Sequence, residues 1–261
     1  MLEGARAFEM ELPPQRLADD EVQIWQLDVL PAGLNVDAVT ALLEPAERAR
    51  ADALRRPADR EQYVVTRGIL RMLVEAYGVA PAAEVRFEYS RQGKPRLSER
   101  HAACPLQFNV SHTHGRSVLA FAQNEPLGVD VERCIDLRDR DELAASCFSA
   151  SELSQYQSLA PTSRLQGFYN GWTRKEAFIK ATGEGLSRRL DSFSVVVTPG
   201  REPRVLDVDG SSSEAAAWTL YDPLHDGSGR RFALALAVRS RSMRIIHRRF
   251  EVGTSTSHRT E

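Results

Sequence analysis

The segment Gly128-Val129-Asp130-Val131-Glu132 carries two carboxylates two residues apart. On a strand, alternate residues share a face, so Val129 and Val131 point one way and Asp130 and Glu132 the other. Two carboxylates on one face repel each other unless a positive charge lies between them, and a hard divalent cation such as Mg²⁺ is the usual solution. The same pattern also describes a half-buried strand whose polar face is solvated. Both readings are open at this point.

A second group sits in the helical stretch 163–182. At about 100° per residue, with Trp172 as zero, Leu165 and Tyr169 fall at about 20° and 60° and Ile179 and Phe168 at about −20° and −40°. Glu176 falls at about 40°, inside this apolar stripe, and Lys180 at about 80°, at its edge. A carboxylate on a core-facing stripe requires a partner. A Glu176–Lys180 salt bridge one turn apart would supply it. The alternative is that Glu176 joins Asp130 and Glu132 around Mg²⁺ while Lys180 faces a substrate anion.

Ser111-His112-Thr113-His114-Gly115 follows a strand candidate and places a hydroxyl and an imidazole at its end, groups that suit phosphate contacts. The His-x-His spacing can serve a metal, but no third histidine or cysteine stands at useful spacing. Lys94, between Gly93 and Pro95, is displayed by turn residues and can meet an anion. Arg48, Arg50, Arg55, Arg56 and Arg60 interleave with Glu44, Asp52 and Asp59 at helical spacing, which describes a solvated, salt-bridged face.

Elements must hold these groups. Val22–Val29 alternates as a strand. Helical pattern begins near Val36, and Pro45 suits the first turn of a new helix. A stronger helix spans about 58–77, with Ile69, Leu70, Leu73, Val74 and Tyr77 as its stripe and Gly78 as its cap. Strand candidates follow at Val85–Tyr89, Leu106–Val110 and Ser117–Ala122. The second half gives a strand at Leu127–Val131 and a capping box at Ser149-Ala150-Ser151-Glu152. The 163–182 helix stops at Gly183, and strands are expected at Ser192–Val197, Ala217–Tyr221 and Phe232–Val238. Ser211-Ser212-Ser213 reads as a loop tip. Both halves run strand, helices, three strands, so duplication rests on order alone; no residue-level repeat accompanies it.

The chain has 261 residues, 42% hydrophobic and 27% charged, an ordinary globular composition. With 34 Lys and Arg against 36 Asp and Glu, the net charge of −2 provides no global field for nucleic acid or an acidic membrane. The seven arginines between Gly227 and Phe250 are accounted for by solubilising strand faces. Cys104, Cys134 and Cys147 form no C-x-x-C pair, which argues against zinc and a disulfide framework. Neither a signal peptide nor a membrane-length apolar run is visible. A cytoplasmic chain is expected, with a polar, frayed end at residues 251–261.

The strings FNVSH (108–112), GVDVE (128–132), WTRKEAFIKATGEGL (172–186) and DSFSV (191–195), in this order, resemble 4′-phosphopantetheinyl transferases of the Sfp type. The likeness reaches upstream through GKP (93–95) and covers roughly residues 20–240. It implies an α+β fold, a pseudo-dimer of two similar subdomains with the active site at their interface. The halves would be residues 1–125 and 126–250. It also implies transfer of the phosphopantetheine arm of coenzyme A onto a serine of an apo acyl, peptidyl or aryl carrier protein, with adenosine 3′,5′-bisphosphate released and the enzyme acting as a monomer. By this resemblance Asp130, Glu132 and Glu176 would bind Mg²⁺. Glu176, Lys180 and Asp130 would be catalytic, with Glu176 as base and Lys180 on the pyrophosphate. Lys94, Ser111 and His112 would hold coenzyme A phosphates, and Arg48, Arg50 or Arg55 the 3′-phosphate. Glu47 departs from the basic residue expected there. Two other readings of the same residues are a coenzyme A or carrier-protein binder without turnover, and a metal-dependent phosphohydrolase using His112, His114, Asp130 and Glu132.

Overall fold

Alternation gives the strand Leu127–Arg133 one apolar face, while the strand Arg116–Gln123 is buried on both, and the chain covers these faces by layering. In a computed structural model, the described residues are 17–28, 30–90, 93–222, 231–240 and 243–251. The first half contains strand β1 (Glu21–Asp28), helices α1 (Val36–Ala41), α2 (Pro45–Asp52) and α3 (Pro57–Ala76), and strands β2 (Phe87–Tyr89), β3 (Pro95–Leu97), β4 (Leu106–Thr113) and β5 (Arg116–Gln123). The second contains β6 (Leu127–Arg133), α4 (Arg140–Cys147), α5 (Ala150–Gln157), α6 (Pro161–Thr182), β7 (Phe193–Val195), β8 (Val205–Val208), α7 (Ser212–Ala215), β9 (Thr219–Tyr221), β10 (Phe232–Val238) and β11 (Arg244–Arg249).

Strand order repeats. In the first half β1 pairs with β5 and β5 with β4, all antiparallel. In the second, β6 pairs with β10 and β10 with β9, again antiparallel. Each half also has a two-stranded ribbon, β2–β3 and β7–β8, between its long helix and its last strands. The fold is therefore the expected α+β pseudo-dimer. β11 is the exception: it returns to pair parallel with β1, giving the first sheet the order β11-β1-β5-β4.

The two sheets pack face to face through Val22, Ile24, Val118 and Ala120 against Val129, Val131, Leu234 and Leu236. α3 covers the outer face of the first sheet with the stripe expected for it, Ile69, Leu70, Leu73 and Val74. α6 covers the outer face of the second with Ala177, Phe178 and Ala181. Two periodic patterns, two and 3.6, thus meet in four layers. Among the described residues no helix is long and apolar enough to cross a membrane.

Several expectations shift. β4 continues to Thr113, so Ser111 and His112 lie within a strand, on opposite faces, and the turn is His114-Gly115. The Ser211–Ser213 segment starts a short helix capped by the Ser211 hydroxyl. β3, β8 and β11 are additional strands. α6 is buried nearly all round rather than along one stripe, because α5 and β7 pack on the side away from β6. Its buried Lys175 and Arg174 are held by Glu152 and Asp222. The expected tail lies, but for Glu251, outside the described residues, as do residues 1–16.

Candidate active site

β6 and α6 are in backbone contact, and Gly128 permits it. A Cβ there would stand 2.1 Å from the Ala177 carbonyl oxygen and 2.4 Å from the Ala181 nitrogen. With no side chain at 128, α6 settles on the outer face of β6, and that face carries Asp130 and Glu132. The helix contributes Glu176 and Lys180 to the same place. The alternation read from GVDVE holds: Val129 and Val131 enter the inter-sheet core while the acids face α6.

Lys180 Nζ lies 2.6 Å from Asp130 Oδ1, so the pair formed is not the Glu176–Lys180 bridge. Asp130 is buried, and its Oδ2 is enclosed with no hydrogen-bond partner. Glu132 and Glu176 are both pushed above the usual carboxylate range. Burial is the main cause for each. The Asp130 charge adds to it, and Glu176 also feels Glu132, while Lys180 opposes the shift in both. The three acids therefore share one field.

The carboxylates are held by the edge of the other sheet. Ser111 Oγ donates to Asp130 Oδ1 at 2.9 Å and accepts the Val131 N–H at 3.3 Å. Two residues on, Thr113 Oγ1 donates to Glu132 Oε2 at 3.3 Å and accepts the Arg133 N–H at 3.2 Å. Asn109 Oδ1 accepts the Val129 N–H at 2.8 Å. Side chains of β4 thus take the place of a backbone ladder to β6. From α6, the Trp172 side chain lies close enough to Glu132 to oppose the upward shift of its pKa. Thr113 and Trp172 were not singled out from sequence. The signal was present in period: Thr113 is two residues from Ser111 on a strand, and Trp172 is four from Glu176 on a helix.

Beside this cluster opens a cavity of about 580 Å³, walled by α3, the Gly93–Pro95 turn, β4 and the end of α6. Of the expected phosphate-binding residues, Lys94, His112, Lys180 and Arg50 line it. Lys94 is not freely displayed. It donates to the carbonyl oxygens of Lys180 and, at 3.3 Å, Leu127. Burial, then the nearby Lys180 charge, lowers its pKa to about 8. The His112 ring opens into the cavity, where desolvation by the walls, then Lys180 and Arg67, hold its pKa below the ordinary value. Ser111 is directed elsewhere, its hydroxyl bonded to Asp130 and accepting from Lys180 Nζ at 3.1 Å. Arg48 donates to the Ala41 carbonyl oxygen at 2.9 Å, and Arg55 is exposed in the bend between α2 and α3. Neither joins the cavity wall. Glu47 is buried against Arg71, which explains an acid at that position.

The donor set suits a hard divalent cation: three carboxylates, one with an enclosed and unpartnered oxygen. Among the described residues no group of three such side chains is gathered at ligating distance, and Lys180 occupies one Asp130 oxygen.

Comparison with known proteins gives a consistent outcome. The model of the 4′-phosphopantetheinyl transferase superfamily matches residues 126–237, and that of the 4′-phosphopantetheinyl transferase N-terminal region matches residues 30–124. The 4′-phosphopantetheinyl transferase HetI of Nostoc sp. is 33% identical over 215 residues, covering 82% of this chain and 87% of that protein. The 4′-phosphopantetheinyl transferase Sfp of Bacillus subtilis is 29% identical over 155 residues, covering 59% of this chain and 66% of that one.

Proposed function

Because the chain belongs to the 4′-phosphopantetheinyl transferase superfamily, and so moves the phosphopantetheine arm of coenzyme A onto carrier proteins, we propose that the Asp130–Glu132–Glu176 cluster beside the basic cavity is where transfer occurs. The observation that carries this reading is Glu176, which lines a cavity together with Lys94, His112, Lys180 and Arg50 and lies in the field of Asp130 and Glu132, Asp130 being paired with the cavity's Lys180 at 2.6 Å. The division of the chain into halves 1–125 and 126–250 belongs to the same proposal, since β4 and α3 come from one and β6 and α6 from the other.

The cavity receives the pyrophosphate of coenzyme A. Lys180 and Lys94 neutralise its oxygens, and His112 donates a hydrogen bond from the opposite wall. The carrier serine oxygen attacks the phosphorus that bears pantetheine. The bond from that phosphorus to the bridging oxygen breaks, and adenosine 3′,5′-bisphosphate leaves. Glu176 accepts the serine proton, a role favoured by the burial and like charges that raise its pKa. Lys180 stabilises the charge that collects on the leaving phosphate. Asp130, Glu132 and Glu176 would hold Mg²⁺, which supplies further neutralisation of the pyrophosphate when bound. The enzyme acts as a monomer in the cytoplasm, in keeping with its three free cysteines.

The test is direct. The full chain is incubated with Mg²⁺, coenzyme A and apo acyl, peptidyl and aryl carrier proteins, and each carrier is weighed by mass spectrometry. A gain of one phosphopantetheine, lost on chelation and in Glu176→Gln, is expected. Unchanged transfer by Glu176→Gln would remove that residue from the chemistry. Binding of coenzyme A with no gain on any carrier would identify a binder, and phosphate release without an acceptor a hydrolase.

A further inference from the structure

β4 is the edge strand of the first sheet. Its ladder runs to β5 on one side only, and on the other its side chains reach across to β6. Thr113 is its last residue, next to the two-residue turn His114-Gly115. A strand end with backbone pairing on one side is where a hairpin opens first. Yet this end has a partner to hold in the other half of the chain. The Thr113 hydroxyl donates to Glu132 Oε2 at 3.3 Å and accepts the Arg133 N–H at 3.2 Å. A small swing of the turn would carry that hydroxyl out of bonding range.

Gln62 of α3 is buried against this turn. Its Nε2 donates to the carbonyl oxygens of Thr113 at 2.8 Å and Arg116 at 3.1 Å, and lies 3.2 Å from Ser117 Oγ. Thr113 and Arg116 are the pair that closes the hairpin. One amide therefore grips both strands at the turn. A carbonyl oxygen has two lone pairs, so each can serve the ladder and Gln62 together. A buried amide needs partners, and Gln62 finds its own at the end of β4. One turn along the helix, Thr66 makes a different link. Its Oγ1 lies 2.8 Å from Ser117 Oγ, which ties α3 to β5 at a residue beyond the closing pair.

We propose that Gln62 is a positioning residue that fixes Glu132 from the opposite half of the chain, by clamping the β4–β5 turn. The relay has two links. Gln62 holds the Thr113 backbone, and the Thr113 side chain holds Glu132 and the β6 backbone at Arg133. What the relay contributes to the reaction rests on the reading of the Asp130–Glu132–Glu176 cluster as the transfer site; the clamp itself does not.

Backbone hydrogen exchange in the metal-free full chain, followed by nuclear magnetic resonance, tests the relay without turnover. Gln62→Met keeps the bulk and removes the donors. The Arg133 amide should then exchange about 5- to 10-fold faster, the size of one net hydrogen bond, while the Val129 amide, held by Asn109, changes less than about twofold. Thr66→Val should leave the Arg133 amide unchanged. Mn²⁺ binding should weaken about 10-fold in Gln62→Met. The double variant with Thr113→Val should bind Mn²⁺ no worse than Thr113→Val alone, because that change removes the link through which Gln62 acts. Gln62→Asn, which withdraws the amide by one methylene, is the deciding variant should the methionine protein fail to melt cooperatively, and it should free Arg133 in the same way. Equal acceleration at Arg133 and Val129, an unmoved Arg133 amide, the same effect from Thr66→Val, or additive losses of Mn²⁺ affinity would each overturn the assignment. A wild-type chain that binds no Mn²⁺, with Arg133 still freed by Gln62→Met, would sink the cation reading and leave the clamp in place.

Discussion

Lys180 Nζ stands 2.6 Å from Asp130 Oδ1, reaching across to β6 rather than to Glu176 one turn back on its own helix. The close approach at Gly128 makes this reach possible. The pair joins the cation of the phosphate cavity to the most buried of the three acids, so each charge has the other as its partner. Lys180→Met should cost about 2–4 kcal/mol in urea unfolding, because Asp130 is left charged and enclosed. Adding Asp130→Asn should recover part of that loss, giving a double mutant less destabilised than the sum of the singles. Additive losses would show that the two side chains do not interact. Transfer should fall at least about 100-fold in Lys180→Met, the scale of removing one preorganised electrostatic contact.

Lys94 should set an alkaline limb on coenzyme A binding. Its folded pKa, about 8, lies below the ordinary 10.5, so its charge is lost from the folded protein as pH rises through about 8. KM for coenzyme A should therefore rise above pH 8. Stability moves the other way. Between about 8 and 10.5 the unfolded chain binds the extra proton, so this one group favours folding increasingly as pH rises. Lys94→Arg should push the alkaline limb beyond pH 10, since a guanidinium keeps its proton. A profile of KM against pH that is identical in Lys94→Arg and wild type would assign the limb to another group.

The Lys175–Glu152 pair is structural. Both side chains are buried, 2.8 Å apart, and Glu152 also accepts the N–H groups of Ser149 and Val195 at 2.7 and 2.6 Å. Lys175→Met should lower stability by about 3–5 kcal/mol by leaving Glu152 unpaired. Lys175→Met with Glu152→Gln should be milder. Denaturant melts of the three proteins decide it, and a single mutant as stable as wild type would contradict the pairing.

Which parts of this were legible in the sequence follows from where each signal is stored. Periodicity is local, so β1, α3, α6 and β10 and the facing of Asp130 and Glu132 could be read directly. Pairing across the chain is not. Helical spacing offers Lys180 a partner in Glu176 one turn away, whereas Asp130, the partner it takes, is 50 residues away in the chain. β11 hid among arginines, because an edge strand with exposed Arg244 and Arg249 lacks the clean apolar alternation of a buried one.

Glu132 is the acid whose place depends most on neighbours, and those neighbours can be removed one at a time. Thr113 offers its hydroxyl from β4, and Trp172 brings its indole near Glu132 from α6, where the ring is stacked on Phe168 at 6.1 Å. Thr113→Val and Trp172→Phe delete one donor each and keep the shape. Each should weaken Mn²⁺ binding, followed by electron paramagnetic resonance, about 10-fold or more, as loss of a ligand's outer partner typically does. Thr113→Ser keeps a hydroxyl and should restore it. The melting temperature should change far less than in Lys175→Met, because Glu132 is only partly buried and can turn to water. If Mn²⁺ binds wild type and both variants alike, Glu132 does not need these donors. If it binds none of them, the carboxylate cluster is not a cation site, and the two failures are told apart by the wild-type measurement alone.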